Sequence, residues 1–222
     1  MVVVFDLDDT LYEEMTFVKS GLKAVARYLD AEFDVPKEEA CVFLSDRIKL
    51  GRKNILDDLL KHFGLYNKKQ LRKCLSAYRL HDPSIELNEE ADRCLLRLKD
   101  YPLYVVTDGN KVVQKNKLDA LSLPERVKHC FITHRYGLHH AKPSPYCLNK
   151  ICKMEKVDPK DVVYIGDNPN KDFVGIKPLG FKTIRVMQGA YKDVEKPQRY
   201  AADRRIDSLD ELTEPFLRRI FT

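Results

Sequence analysis

Apolar and polar positions follow two rhythms along the chain, and the change between them marks its organisation. Residues 2–7 form an almost unbroken apolar run that ends among acids, as in a parallel strand buried on both faces. From about residue 15 to residue 78 no comparable run recurs. Apolar residues return there at helical spacing: Phe17, Leu22, Val25, Ala26 and Leu29, then Ala40, Phe43, Leu44 and Ile48, then Ile55, Leu59, Leu60 and Phe63. Pro36 suits a helix first turn, and Gly51 and Gly64 suit helix ends. This stretch reads as an all-helical insertion of several short helices.

Strands and helices then alternate. The spacing predicts helices over 87–98, 112–121, 145–154 and 209–220, and strands over 103–107, within 127–133, and over 162–166 and 182–186. Strands separated by helices of these lengths form right-handed βαβ units and an open parallel sheet. The expected architecture is α/β, with a core from residues 1–14 and 83–222 and a helical cap from residues 15–82.

Composition narrows the picture without naming a chemistry. A chain of 222 residues is long enough to bury a large core without disulfide or metal staples. Its 39 basic and 34 acidic side chains are spread over both halves with no long single-sign block, so a nucleic-acid partner is not expected. A mean hydropathy of −0.42 and the lack of a long uncharged apolar run exclude a membrane-spanning helix. Cys41, Cys74, Cys94, Cys130, Cys147 and Cys152 contain no Cys-x-x-Cys pair and mostly sit in apolar patterns, so they read as buried thiols in a reducing compartment. The segment Met1-Val2-Val3-Val4-Phe5-Asp6 lacks the basic start of a signal peptide, and the expected location is the cytoplasm.

The candidate chemistry gathers where strands end, which is where open α/β sheets bind ligands. After the first strand comes Asp6-Leu7-Asp8-Asp9-Thr10-Leu11; on an extended segment residues i and i+2 face one side, so Asp6 and Asp8 can converge on one ligand. Thr107-Asp108-Gly109-Asn110 follows the second strand, and Lys142-Pro143 precedes a helix. Gly166-Asp167-Asn168-Pro169-Asn170-Lys171-Asp172 ends the next strand. Each segment alone also reads as turn or capping chemistry. Their joint order at successive strand ends is what points to a site.

Four carboxylates (Asp6, Asp8, Asp167, Asp172) in one place repel one another unless a cation lies among them. An all-oxygen set beside a phosphate suits Mg²⁺. One carboxylate could then attack phosphorus and a second could protonate the leaving oxygen and later activate water. Thr107 and Lys142 could match the charge on the phosphoryl oxygens.

The segments Phe-Asp-Leu-Asp-Asp-Thr-Leu-Tyr (5–12), Val-Val-Thr-Asp-Gly-Asn (105–110), Lys142-Pro143 and Tyr-Ile-Gly-Asp-Asn-Pro-Asn-Lys-Asp (164–172) resemble the four motifs of the haloacid dehalogenase (HAD) superfamily. The helical insertion resembles the type 1 cap of its phosphatases. The resemblance implies a Rossmann-like core and a Mg²⁺-dependent phosphohydrolase that works through an aspartyl-phosphate. It makes Asp6 the nucleophile and a metal ligand, and Asp8 the general acid/base that offers its backbone carbonyl to the metal. It also makes Thr107 and Lys142 the phosphoryl holders and Asp167 a metal ligand, with Asp172 supporting the metal's water shell or Lys142. Relatives often carry Asn where this chain has Asp108, whose backbone N–H can still face the phosphoryl group. Dehalogenating members lack an acid at the Asp8 position, so its presence favours phosphoryl transfer.

The implied substrate is a small phosphorylated metabolite: a phosphosugar, a nucleotide or a phosphoglycolate-like acid. A phosphomutase would share every core residue. A phospho-accepting signalling domain gathers similar groups, but its phosphorylated Asp ordinarily follows a central strand and it has no large cap. In the cap, Arg52 or Lys53 could reach an anionic part of the substrate or simply belong to a solvated basic face. Tyr12 could line the site mouth or pack beneath the cap. His139-His140 has no third residue spaced to complete a metal site.

Overall fold

The computed structural model describes residues 1–51 and 53–221. Among the described residues, six strands, β1 (Val2–Phe5), β2 (Leu103–Thr107), β3 (His129–Ile132), β4 (Val162–Gly166), β5 (Lys182–Val186) and β6 (Arg204–Ile206), form one sheet. Their order is β3-β2-β1-β4-β5-β6 and every pairing is parallel. Four helices follow β1: α1 (Glu14–Phe33), α2 (Lys37–Lys49), α3 (Ile55–His62) and α4 (Lys68–Leu80). The others are α5 (Glu89–Arg97), α6 (Lys111–Ala120), α7 (Tyr146–Glu155) and α8 (Glu214–Phe221). This is an α/β, Rossmann-like fold.

The chain divides into two compact units, residues 1–14 with 85 onward, and Met15–Ser84. In the first, β1, β2 and β4 are buried at every position, as strands covered on both faces require. Val2, Val4, Tyr104, Val106, Val162 and Tyr164 pack on one face with Cys147, Leu148 and Ile151 of α7. In the second unit the apolar stripe of α1 (Val18, Leu22, Val25, Ala26, Leu29) packs with Ala40 and Leu44 of α2 and Ile55, Leu56, Leu59 and Leu60 of α3. Pro36 directly precedes α2, and Gly51 and Gly64 lie just past α2 and α3.

Three details differ from the pattern reading. The first inserted helix is long, 20 residues, not short. The helix expected over 209–220 is a 3₁₀ turn, Leu209–Glu211, followed by α8. Pro215, which lacks an N–H, is accommodated only in a first turn, so the helix begins beside it. Strand β6 was not expected: it is three residues long, with two exposed arginines, as suits a sheet edge. Among the described residues no helix is long and apolar enough to cross a membrane. All six cysteines are free thiols; Cys41 and Cys130 are only partly buried.

Candidate active site

The strand order reverses direction about β1 and β4, and ligands of doubly wound sheets bind beyond the strand ends at that reversal. Asp6 follows β1 and Asp167 follows β4. Phe5 is in register with Ile165, and the Asp6 N–H donates to the Ile165 carbonyl at 2.8 Å, so the two acids leave the sheet side by side. Asp172 joins them through a tight loop: its N–H donates to the Asn168 carbonyl, and its Oδ2 accepts from the Asn168 N–H, each at 2.9 Å. Gly166 makes this fold-back feasible, because a Cβ there would lie 2.5 Å from Asp172 Oδ2. Carboxylate oxygens of Asp6, Asp167 and Asp172 all come within 4.8 Å of one another, and all three residues are buried.

Lys142 reaches this cluster from the loop before α7. Its Nζ donates to Asp6 Oδ1 and, at 2.9 Å, to Asp172 Oδ1, and it lies 5.3 Å from the centre of the Tyr164 ring. The loop packs against Gly175, where a Cβ would sit 1.8 Å from the Pro143 carbonyl oxygen. Burial works against the Lys142 ammonium, but Asp172 and Asp6 beside it hold its pKa well above the usual lysine range.

One cation does not balance three buried acids. Burial, with Asp172 and Asp8 nearby and only Lys142 opposing, pushes the Asp6 carboxyl up to about 7. Burial and the charges of Asp6 and Asp172 push Asp167 up to about 9. Asp6 and Asp167, both raised, beside the buried Asp172 make a donor set suited to a hard divalent cation such as Mg²⁺.

Asp8 lies apart from this cluster. The regular strand ends at Phe5, and the Asp8 carboxylate is taken up by other donors: Tyr12 Oη at 2.5 Å, Lys117 Nζ at 2.6 Å and Gln114 Nε2 at 2.9 Å. Burial alone would raise its pKa; Lys117 and the hydrogen bonds outweigh burial and lower it. The Asp6 and Asp8 carboxylates therefore serve two neighbouring environments.

Thr107, at the end of β2, is fully buried, and its hydroxyl accepts from Gln114 Nε2. The Asp108 carboxylate accepts from Thr133 Oγ1 (2.6 Å), the Lys142 N–H (3.0 Å) and Lys171 Nζ (3.0 Å). Burial raises its pKa less than these donors lower it. It ties the loop after β2 to the Lys142 loop. Lys53 lies in an exposed turn, and Arg52 lies outside the described residues. His139 and His140 stack on each other and on Tyr146.

Pattern reading missed Lys117, Gln114, Lys171 and Tyr164. A signal existed for two of them. Gln114, Lys117, Leu118 and Leu121 share one face of α6 by spacing, so two polar residues occupy what should be an apolar stripe.

The family model for haloacid dehalogenase-like hydrolases matches residues 1–180. A glyceraldehyde 3-phosphate phosphatase of Methanocaldococcus jannaschii is 32% identical over 222 residues, spanning 96% of this chain and 95% of the relative. The human N-acylneuraminate-9-phosphatase is 23% identical, over 81% and 79% of the two chains. Among solved structures, a HAD phosphatase from Thermococcus onnurineus superposes with a TM-score of 0.60 at 25% identity, over 99% and 96% of the chains. A magnesium-bound HAD hydrolase from Bacillus subtilis reaches 0.66 at 19% identity, over 97% of each, and that likeness concerns the fold alone.

Proposed function

The chain belongs to the haloacid dehalogenase-like hydrolase family and is a HAD-type phosphatase that hydrolyses phosphomonoesters; we propose that its hydrolysis proceeds in two steps through an aspartyl-phosphate at Asp6. The observation that carries this reading is the cluster of Asp6, Asp167 and Asp172 with Lys142, at the ends of β1 and β4.

In the first step an Asp6 oxygen bonds to phosphorus as the bond from phosphorus to the ester oxygen breaks. The leaving oxygen keeps the electron pair and takes a proton from Asp8, which has to take up that proton as the substrate binds, because Lys117 and its hydrogen bonds otherwise favour the carboxylate. In the second, a water oxygen bonds to phosphorus, its proton passes to Asp8, and the bond to Asp6 breaks. Lys142 and the Thr107 hydroxyl hold the phosphoryl oxygens, joined by the backbone N–H of Asp108. Asp6, Asp167 and the backbone carbonyl of Asp8 would hold Mg²⁺, with Asp172 keeping Lys142 in place. When bound, Mg²⁺ offsets the repulsion among the acids and withdraws charge from the phosphoryl group.

The substrate is a small phosphorylated metabolite. The similarity to glyceraldehyde 3-phosphate phosphatases supports a three-carbon phosphate ester as the first to test, ahead of phosphosugars and phosphoglycolate. Six free thiols support a reducing, cytoplasmic location. The direct test is phosphate release from such a panel, with Mg²⁺ and with EDTA. Release that needs the metal is expected. Release undiminished by EDTA would remove the metal from the mechanism, and transfer of the phosphoryl group to a second hydroxyl in place of water would make the protein a mutase.

A further inference from the structure

The face that α6 turns to the interior is built unlike a packing face. Its buried residues are Gln114, Lys117 and Leu118, two of them polar. The Lys117 side chain is only 4% exposed, and a buried ion pair is poor grounds for stability, since apolar residues of similar volume often serve as well. Both polar groups point at one acceptor. Lys117 Nζ donates to Asp8 Oδ1 at 2.6 Å, and Tyr12 Oη donates to the same oxygen at 2.5 Å. Gln114 uses one amide hydrogen on Asp8 Oδ2, at 2.9 Å, and the other on the Thr107 hydroxyl. Tyr12 is entirely buried and Gln114 nearly so.

A carboxylate offers about four acceptor positions, two on each oxygen. Three are occupied here by donors from the described residues, both positions on Oδ1 and one on Oδ2. The Asp8 side chain is still 23% exposed, so its remaining position is reachable. We propose that Lys117, with Tyr12 and Gln114, is a positioning clamp that leaves Asp8 a single open position on Oδ2 and so selects the atom that exchanges a proton with the leaving group and then with water. Gln114 also sets the distance between that atom and Thr107. This rests on the reading of Asp8 as general acid/base.

The consequence is a dependence on the leaving group. An alkyl phosphate needs its departing oxygen protonated, whereas 4-nitrophenolate departs without a proton. Values of kcat/KM report the steps up to breakage of the ester bond for both. In Lys117→Met, kcat/KM is expected to fall about 10²-fold for glyceraldehyde 3-phosphate or glycerol 3-phosphate, and only about threefold for 4-nitrophenyl phosphate. Tyr12→Phe removes one donor to Asp8 while keeping the buried ring. It should show the same asymmetry, about tenfold against little change, and stands as the test if Lys117→Met does not fold. Equal losses on the two esters, or no loss on either, in a folded variant would overturn the clamp. A folded wild-type enzyme that releases no phosphate from any ester would instead overturn the proposed function, and the clamp with it.

Discussion

The two units of this protein bury different things. Among the described residues, the α/β unit hides ten polar or charged side chains: Asp6, Thr10, Thr107, Gln114, Lys117, Thr133, Asp167, Asp172, Thr183 and Arg185. The helical unit hides one, His81, which stands between Phe17 and Tyr78 with its Nδ1 2.7 Å from the Tyr78 carbonyl oxygen. Both units also have an apolar core. Burying charge is unfavourable unless partners satisfy it, and in the α/β unit much of that charge, on Asp6, Asp167, Asp172 and Lys117, gathers at the candidate site. The helical unit is stabilised by apolar burial.

That contrast can be broken in a definite order, beginning with the largest effect. Asp6→Asn replaces the proposed nucleophile, and turnover should fall by about 10³-fold or more while the melting temperature holds or rises, since one buried repelling charge is gone. Phosphate release and a thermal melt on the same preparation decide this; full activity would sink the assignment of Asp6. A cap substitution should do the reverse. Leu59→Ala is expected to cost about 2–5 kcal/mol of stability by opening a cavity in the apolar bundle, with Mg²⁺ affinity unchanged. Urea unfolding and metal titration by calorimetry measure the two halves of that statement.

A smaller effect concerns pH. The Asp6 and Asp167 carboxyls are raised in the folded state to about 7 and about 9, above their unfolded values, so the folded form binds more protons between those limits. Stability of the metal-free protein should therefore be greatest below the unfolded carboxylate pKa as far as these groups are concerned. It should decline as pH rises through 7 and toward 9. Mg²⁺ should restore more of the melting temperature at pH 9 than at pH 6; a metal effect independent of pH would contradict the crowding of these acids. The smallest expected change is in the cap. An Arg52→Ala/Lys53→Ala double variant tests whether those residues serve the substrate: KM raised by up to about tenfold with kcat retained on anionic three-carbon esters supports that role, and unchanged kinetics assign them to a solvated basic face.

Much of this was legible along the chain. The runs at 103–107, 162–166 and 182–186 are the observed strands β2, β4 and β5 to the residue; β2 and β4 are apolar along almost their whole length, as strands covered on both faces require, whereas β5 carries Lys182, Thr183 and Arg185 among its apolar positions. The helical stripes from Phe17 to Leu60 are read from period alone. Edges and breaks were harder: β6 carries exposed arginines and has no apolar run, and Pro215 moves the last helix by a few residues.

The site divides in the same way. Which residues stand at strand ends is a local property, so Asp6, Thr107 and Asp167 can be found from sequence by position. Which of them meet is not local. Lys142 pairs with Asp6 across 136 residues and Lys117 with Asp8 across 109. Asp8 and Asp6, two residues apart, enter different environments. Periodicity carries information over one or two turns of chain, whereas these partnerships follow from a strand order that sets β1 between β2 and β4. The sequence determined the elements and the chemistry available at their ends; only the tertiary structure decided which charges share a partner, because that depends on the order in which the strands are laid side by side.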